Sequence, residues 1–327
     1  MPSSMTHTYF GIDVYNKLNK TCQNKINNNL EYYKLFCQGS DPFMFYHFLI
    51  GKKAKEMGEI QKILHTTKTR EFFITTINYI NDNNLNNTET ITYLYGYICH
   101  YFLDLYTHPL IYYKSGIFKS NDKNTYKYNG LHQKIEYAID LYFIKKREPI
   151  KPNKFLIYNS IFDVKDLTKD LDNIINKSIG EVYSIKDASN KYRKSIWYMT
   201  KFFKYANYDP YKIKLIIYNL LDKITPNNIL KVSELSYSNQ YKDINNYMNL
   251  DNKIWYLPWD NTKSYTTSFI DLYNIALKEA VNTIEEVTKM LDNKSIDTKK
   301  LNLLFKDLSF KTGINCNKEV EFKHFEH

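Results

Sequence analysis

The sequence of 327 residues predicts an all-α fold, and three observations lead to this prediction. Hydrophobic residues make up 43% of the chain, with 31 Tyr and 19 Phe, which is enough for a sizeable aromatic core. Only 9 Gly and 8 Pro are present, too few for a turn-dense β sandwich or barrel. Nearly every long segment repeats its apolar residues at the period of an α-helix.

The first half of the chain contains three clear helical patterns. KTREFFITTINYIN at 68–81 places its apolar residues on one side. Residues 87–107 begin with polar NTET and continue as an apolar helix, for which Asn86 and Glu89 have the spacing of a capping arrangement. LHQKIEYAIDLYFIKK at 131–146 ends in a basic turn, which suits the negative end of a helix dipole.

The second half predicts further helices. Residues 188–206 and 210–223 form two of them, separated at Asp209-Pro210. The clearest late helix is 268–292, with Ser268 as its N-cap. The segment WYLPWDNTKSYTTS before it is predicted to be a loop, and we find no hairpin signal.

Charge, cysteines and the N-terminus indicate where the protein works. A net charge of +10 and a pI near 9.0 favour anionic partners, although a high lysine content also serves solubility. The cysteines, at 22, 37, 99 and 316, form no CxxC pair, which argues against a zinc ribbon or a disulfide framework. MPSSMTHTYFG shows no basic stretch before an apolar run, so we expect no secretory signal and a cytoplasmic location.

The stretch CHYFLDLYTHP at 99–109 carries three polar groups in the most apolar part of the chain. Residues 91–113 are long enough to span a membrane, but His100, Asp104 and His108 would be costly in lipid, so we expect a buried helix instead. Residues four apart share a helix face, and the three side chains can therefore point toward one place. Pro109 is expected to end the helix at His108.

A second group has the same spacing. His132 and Glu136 lie one turn apart on another helix, and Asp140 lies one turn further on. Imidazole and carboxylate are zinc ligands, and the two oxygens of a carboxylate such as Asp104 can bridge two ions. Singly, each histidine is more often a core residue with its hydrogen bonds satisfied, and His132 with Glu136 could be an exposed ion pair.

These residues resemble the zinc-dependent phospholipase C family, an all-α bundle of many helices around a zinc cluster, whose fold is shared by fungal single-strand nucleases. Five stretches carry the resemblance: THTYFG at 6–11, QGSDPFMF at 38–45, LHTTKTREFF at 64–73, YGYICHYFLDLYTHP at 95–109 and LHQKIEYAID at 131–140. The resemblance divides the chain into a metal-binding helical core, 1–150, and a helical C-terminal portion, 151–327, expected to pack on the same domain.

The resemblance implies eight metal ligands. One zinc would be held by Asp41, His65, His100 and Asp104. A second would be held by His108, His132 and Glu136. His7 and the other oxygen of Asp104 would contribute to a third, which is left open because the family's N-terminal Trp is absent here, unless Met1 is removed and Pro2 folds back. We therefore expect two zinc ions.

The resemblance also implies a reaction. Water activated by the metal would attack the phosphorus of a phosphodiester, most simply of a phospholipid, with Asp41 orienting or deprotonating that water. We see no β sandwich after 150 and no amphipathic basic helix. We therefore expect dispersed substrates to be preferred over packed bilayers, with only weak electrostatic adsorption to anionic membranes.

Two other functions stay open. The net charge would attract nucleic acid to a nuclease-like zinc site, although those nucleases have Asp where Glu136 stands, so we regard nucleic acid as the less favoured partner. Alternatively, zinc only stabilises a non-catalytic helical protein. Structural zinc sites are closed, whereas His108, His132 and Glu136 leave one position free unless Asp140 fills it.

Overall fold

The all-α prediction is confirmed by a computed structural model that describes residues 4–46, 52–119, 121–161, 166–224, 232–237 and 242–326. The α-helices are α1 (Ser4–Lys17), α2 (Lys20–Ile26), α3 (Leu30–Phe36), α4 (Lys52–Thr66), α5 (Thr69–Asp82), α6 (Thr88–Ser115), α7 (Leu131–Arg147), α8 (Ile157–Ile161), α9 (Lys169–Ile175), α10 (Ala188–Phe202), α11 (Ile213–Ile224), α12 (Ile244–Tyr247), α13 (Phe269–Asp292) and α14 (Thr298–Leu304). Shorter 3-10 turns are Asn27–Asn29, Asp41–Phe45, Lys123–Tyr128, Pro152–Lys154 and Val232–Leu235, and π-helical turns are Asn176–Glu181 and Phe203–Asn207.

Helix α6 is the centre of the molecule, with α1, α3, α7 and α13 packed around it. Almost every residue from Thr90 to Ser115 is buried, as expected for a helix that is apolar on all sides. Its N-cap is Asn87, whose side-chain oxygen accepts a hydrogen bond from Thr90 N at 3.1 Å. The prediction of Asn86 was wrong by one residue, since the Asn86 amide instead donates to Asp292.

The predicted end of α6 was also wrong. The helix continues through Pro109 to Ser115 and is capped by Gly116, which has a φ of 62°. An interior proline costs about 3 kcal/mol because it removes one backbone hydrogen bond and crowds the preceding turn. The residues beyond it offset this cost, because Leu110 and Ile111 are almost fully buried and each such side chain contributes about 1.5–3 kcal/mol.

The other helical predictions are confirmed, with boundaries shifted by a few residues. The patterns at 68–81, 131–146, 188–206, 210–223 and 268–292 correspond to α5, α7, α10, α11 and α13. Ser268 caps α13 as predicted, and its hydroxyl and Asp271 form a reciprocal capping box.

The segment predicted as a loop contains a short antiparallel hairpin, so the prediction that it has no hairpin was wrong. Strand β1 (Trp255–Leu257) pairs with β2 (Asp260–Tyr265), and Trp255 lies opposite Tyr265. Trp255 is buried and its indole N–H donates to Thr267 O at 3.0 Å. The turn is Pro-Trp and lacks the Asn-Gly or Asp-Gly signature of two-residue hairpins, which is why the sequence did not reveal it.

One continuous cluster of buried apolar residues draws on both ends of the chain. For example, Phe10 of α1 packs edge-on against Tyr273 of α13, with ring centroids 5.0 Å apart. The division of the chain at residue 150 stays a prediction. Among the described helices, none has both the length and the apolar character that crossing a membrane requires.

Candidate metal centre

Helix α6 places three polar side chains in a row inside the core. His100 Nε2 lies 3.4 Å from Asp104 Oδ2, and His108 Nδ1 lies 3.8 Å from the same oxygen. This is the arrangement that the four-residue spacing predicted. All three residues are buried, so Asp104 lies between two imidazoles without access to bulk water.

Three other elements add ligand-type groups on one side of Asp104. Asp41 begins a 3-10 turn, and its Oδ1 lies 3.2 Å from Nε2 of His65, which lies in the last turn of α4. His65 Nε2 is also 3.2 Å from His100 Nε2. His7 comes from α1, with its Nε2 3.2 Å from Asp104 Oδ1. We name these five residues the inner group: His7, Asp41, His65, His100 and Asp104.

On the other side lies the outer group, which consists of His108, His132 and Glu136. His132 Nε2 is 3.1 Å from Glu136 Oε1, and His108 Nε2 is 3.6 Å from that oxygen. Glu136 is buried, so the alternative of an exposed ion pair was wrong. The His132 side chain is 25% exposed, which makes the outer group the side of the cluster that solvent reaches.

Three of the histidines are oriented by a second contact behind the ring. Nδ1 of His65 bonds to Gln61 O at 2.8 Å, and Nδ1 of His108 bonds to Phe310 O at 2.9 Å. A carbonyl oxygen only accepts, so each Nδ1 carries the proton. His132 Nδ1 bonds to Ser115 Oγ at 3.3 Å, and that hydroxyl itself donates to Gly116 O. When these rings are neutral, their Nε2 lone pairs therefore point into the cluster.

The buried carboxylates make the centre strongly attractive to positive charge. Burial lowers the pKa of His65, but its hydrogen bonds with Asp104 and Asp41 outweigh burial and raise that pKa to about 10. Burial raises the pKa of Asp104, yet the imidazoles of His108, His100 and His7 hold it well below its usual range. The pKa of His100 falls to about 4 because burial dominates, so this ring is neutral and free to act as a ligand.

The donor set fits zinc. Nitrogen and carboxylate ligands about 2.0–2.2 Å from one tetrahedral ion lie roughly 3.3–3.6 Å apart, close to the contacts in both groups. Asp41 Oδ2 and His100 Nδ1 are buried 3.8 Å apart and have no hydrogen-bond partner among the described residues. Three sets could each hold one ion: His7 with Asp41 and His100, His65 with His100 and Asp104, and His108 with His132 and Glu136.

Asp140 does not belong to the centre. Its carboxylate accepts hydrogen bonds from the backbone N–H groups of Met5 and Thr6 at 3.0 and 2.7 Å, and from the hydroxyls of Thr6 and Tyr237. It therefore anchors the beginning of α1 to α7, and so places His7 beside α6. Met1 and Pro2, on which the question of the third ion depended, lie outside the described residues.

Sequence reasoning missed several residues that hold the expected ligands in place. Ser115 lies two turns after His108, and the incorrect helix end at Pro109 hid it. Phe310 acts through its backbone carbonyl, and its ring packs 5.1 Å from His65, so no side-chain pattern could reveal its role. Gly39 has a φ of 52°, and a Cβ there would lie 2.3 Å from His100 Cδ2. Only the place of Gly39 in the QGSDP motif could have indicated this role.

The fold and the centre together define an all-α protein with a buried histidine–carboxylate cluster suited to divalent metal. The model of the zinc-dependent phospholipase C family matches residues 6–189, more than half of the chain, and the protein belongs to this family. The matched range contains all eight expected ligands but ends well before Phe310. No curated protein and no solved structure gives a significant match to the chain.

Proposed function

We propose that the protein is a zinc-dependent phosphodiester hydrolase of the phospholipase C type, acting on phospholipids or related phosphodiesters. One observation carries this proposal: Asp104 lies between the inner and outer groups, with histidines of both groups within 3.8 Å of its oxygens. A carboxylate in that position can serve two ions at once, because Oδ2 faces His65 and His100 of the inner ion while Oδ1 faces His7, which is expected to take part in a third. Neighbouring ions are the arrangement of two-metal phosphodiester chemistry.

Two zinc ions are proposed. The inner ion would be held by Asp41, His65, His100 and Asp104, and the outer one by His108, His132 and Glu136. His7 is within reach of Asp104 for a third. Bound zinc would lower the pKa of a water ligand and polarise a phosphodiester oxygen. The outer group supplies only three protein ligands and is partly exposed, which suits a catalytic site with an open position.

Asp41 is the proposed catalytic carboxylate. Its Oδ1 accepts a hydrogen bond from Gln61 Nε2 at 3.2 Å, which fixes the orientation of the group. Its Oδ2 has no hydrogen-bond partner within the described part of the chain and is available to orient a water molecule and accept its proton. Removing this oxygen should lower the rate even where metal is retained.

A cation lies beside the open side of the centre. Lys311 Nζ is 5.2 Å from the ring centre of Tyr112, and that ring packs 4.6 Å from His132. An ammonium group in this place would attract the anionic phosphodiester toward the outer group.

The cytoplasmic location stays a prediction.

Metal analysis combined with parallel substrate assays tests the proposal. Protein purified without chelator should contain at least two zinc per chain and should hydrolyse phosphatidylcholine and a nitrophenyl phosphodiester faster than single-stranded DNA. Chelation should abolish hydrolysis, and added zinc should restore it. Faster cleavage of DNA would favour a nuclease, and full zinc content without any hydrolysis would favour a purely structural centre.

A further inference from the structure

An ordinary surface helix turns its apolar stripe toward the core. Helix α11 instead turns its apolar stripe toward solvent. In α11, five apolar side chains at helical spacing face solvent, and each is between 49% and 76% exposed: Ile213, Ile216, Ile217, Leu220 and Ile224. These positions fall on one stripe of the helix. Helix α13 is equally amphipathic in sequence, yet its stripe is buried.

The orientation of α11 is determined by contacts on its opposite face. Tyr218 donates its hydroxyl proton to Ala206 O at 3.0 Å, and the Asp222 carboxylate accepts from Val232 N at 2.8 Å. At the start of the helix, Asp209 accepts from Leu215 N at 2.9 Å. The polar face is thus attached to the protein body, and rotation of the stripe toward the core would break these bonds.

A ridge of aromatic and basic residues adjoins α11. Trp197 and Lys201 of α10 and Tyr205 of the π-helical turn that follows it are four residues apart. Trp197 is 56% and Tyr205 60% exposed, and Lys201 Nζ lies 5.3 and 5.6 Å from their ring centres. Tyr205 directly precedes Ala206, the residue that α11 contacts. We call α11 together with these three residues the outward face.

We propose that the outward face binds an anionic lipid surface. Lys212, directly before α11, and Lys223, in its last turn, are both exposed, so this region combines apolar area with positive charge. Trp and Tyr favour the boundary between lipid tails and headgroups, because each has an apolar ring and a polar tip. A chain of net charge +10 complements anionic headgroups. The sequence prediction, which found no amphipathic basic helix, did not consider the outward face.

The outward face is connected to the metal centre through α10. At the beginning of that helix, Tyr192 donates its hydroxyl proton to Gly39 O at 2.8 Å, beneath His100. Near its end, Phe202 and Phe203 pack against Phe45 at 5.0 and 5.8 Å, in the 3-10 turn that begins with Asp41. Adsorption through this face would therefore hold the centre at a set orientation to the lipid. This consequence rests on the proposed function, whereas lipid binding itself does not.

Vesicle co-sedimentation tests the inference with a double variant, Ile216→Ser with Leu220→Ser, in the full-length protein. Both side chains are exposed, so the fold should be retained, which far-UV circular dichroism checks. The matched control is Ile275→Ser with Leu303→Ser, which removes two exposed apolar side chains elsewhere. Vesicles of phosphatidylcholine, with and without phosphatidylserine, are the probe. Wild type and control should bind the phosphatidylserine vesicles, and the double variant should bind about tenfold or more weakly.

Three outcomes would overturn the inference. Equal binding by wild type and the double variant would mean that the stripe does not contact lipid. Equal binding of wild type to vesicles with and without phosphatidylserine would remove the role of charge. A wild-type dimer that the double variant dissolves would mean that a second copy covers the face. Hydrolysis of a soluble nitrophenyl phosphodiester, assayed in parallel, should not change in the double variant. If wild type, control and double variant all fail to hydrolyse this substrate, the proposed function is contradicted, but the result of the vesicle-binding experiment still stands.

Discussion

The inner and outer groups of the metal centre use the same residue types but are supported differently. Every inner residue is almost fully buried, and His65 is held by both Gln61 O and Ser40 Oγ, at 2.8 and 3.1 Å. In the outer group, His132 is partly exposed, and its Nδ1 contacts Ser115 Oγ at 3.3 Å. His108 depends on the carbonyl of Phe310, about two hundred residues further along the chain.

This difference indicates how a single cluster can combine rigidity and access. The residues of the inner group all lie between positions 7 and 104, so its geometry is set by closely packed helices. The outer group keeps one side open, and its His108 is supported by the C-terminal segment. The same segment also contacts the inner group, because Phe310 N donates to His65 O at 2.9 Å. Substrate access would then be on the outer side, and positional stability on the inner side.

The largest effect is expected from Asp104→Asn, because this residue contacts both groups. The amide cannot bridge two cations as a carboxylate does, so we expect at least one zinc per chain to be lost. Hydrolysis should fall by more than the roughly 10- to 100-fold typical of residues behind a metal ligand. Elemental analysis and a nitrophenyl phosphodiester assay measure both. Asp251→Asn, an exposed aspartate, is the matched control and should change neither quantity. Full zinc content in Asp104→Asn would contradict the bridging role.

Glu136→Gln should separate the two groups. It removes the carboxylate that His132 and His108 both contact, and leaves every inner residue in place. We expect the zinc content to fall by about one ion per chain, with most activity lost, while thermal stability changes less than in Asp104→Asn. Loss of both ions would show that the groups are not independent.

Gly39→Ala tests the rigidity of the inner group. The left-handed backbone costs a non-glycine residue about 1–3 kcal/mol, and the new Cβ would push against the His100 ring at 2.3 Å. We expect a melting temperature lower by several degrees, roughly 2–4 °C for each kcal/mol, and weaker zinc binding. Gly58→Ala in α4 is the control, because, chain neighbours and the backbone of α4 aside, no atom of the described residues lies within 4 Å of a Cβ built there, and it should be neutral or stabilising. Similar melting temperatures for both variants would refute the close contact with His100.

The smallest effects are expected from Ser115→Ala and Ser40→Ala, which should differ in zinc affinity. Ser115 is the contact behind His132, so its loss should weaken the outer zinc by about 10-fold. Ser40 shares His65 Nδ1 with Gln61 O, so its loss should change zinc affinity by less than about 3-fold. Competition with a chromogenic chelator gives both values. Equal effects, or the reverse order, would mean that the two groups are supported alike.

Spacing along a single helix was readable from the sequence. His100, Asp104 and His108 lie on one face because the α-helix repeats every 3.6 residues, and the same holds for His132 and Glu136. The length of α6 was not readable. A proline normally ends a helix, but here the burial of the residues beyond it outweighed the local penalty, and Ser115 became part of the site only through this continuation.

By itself, the sequence determined the helical class, the two helices that carry His and acidic residues at four-residue spacing and, through motif order, the family, since these follow from local periodicity and residue chemistry. Tertiary structure decided what depends on contacts between distant segments. The carbonyl of Phe310 behind His108 and the close approach of Gly39 to His100 are backbone features that leave no side-chain pattern. The direction in which the apolar face of α11 points was likewise decided by tertiary contacts. Its amphipathic sequence predicts a helix with one apolar face, but only the bonds of Tyr218 and Asp222 decide which way that face points.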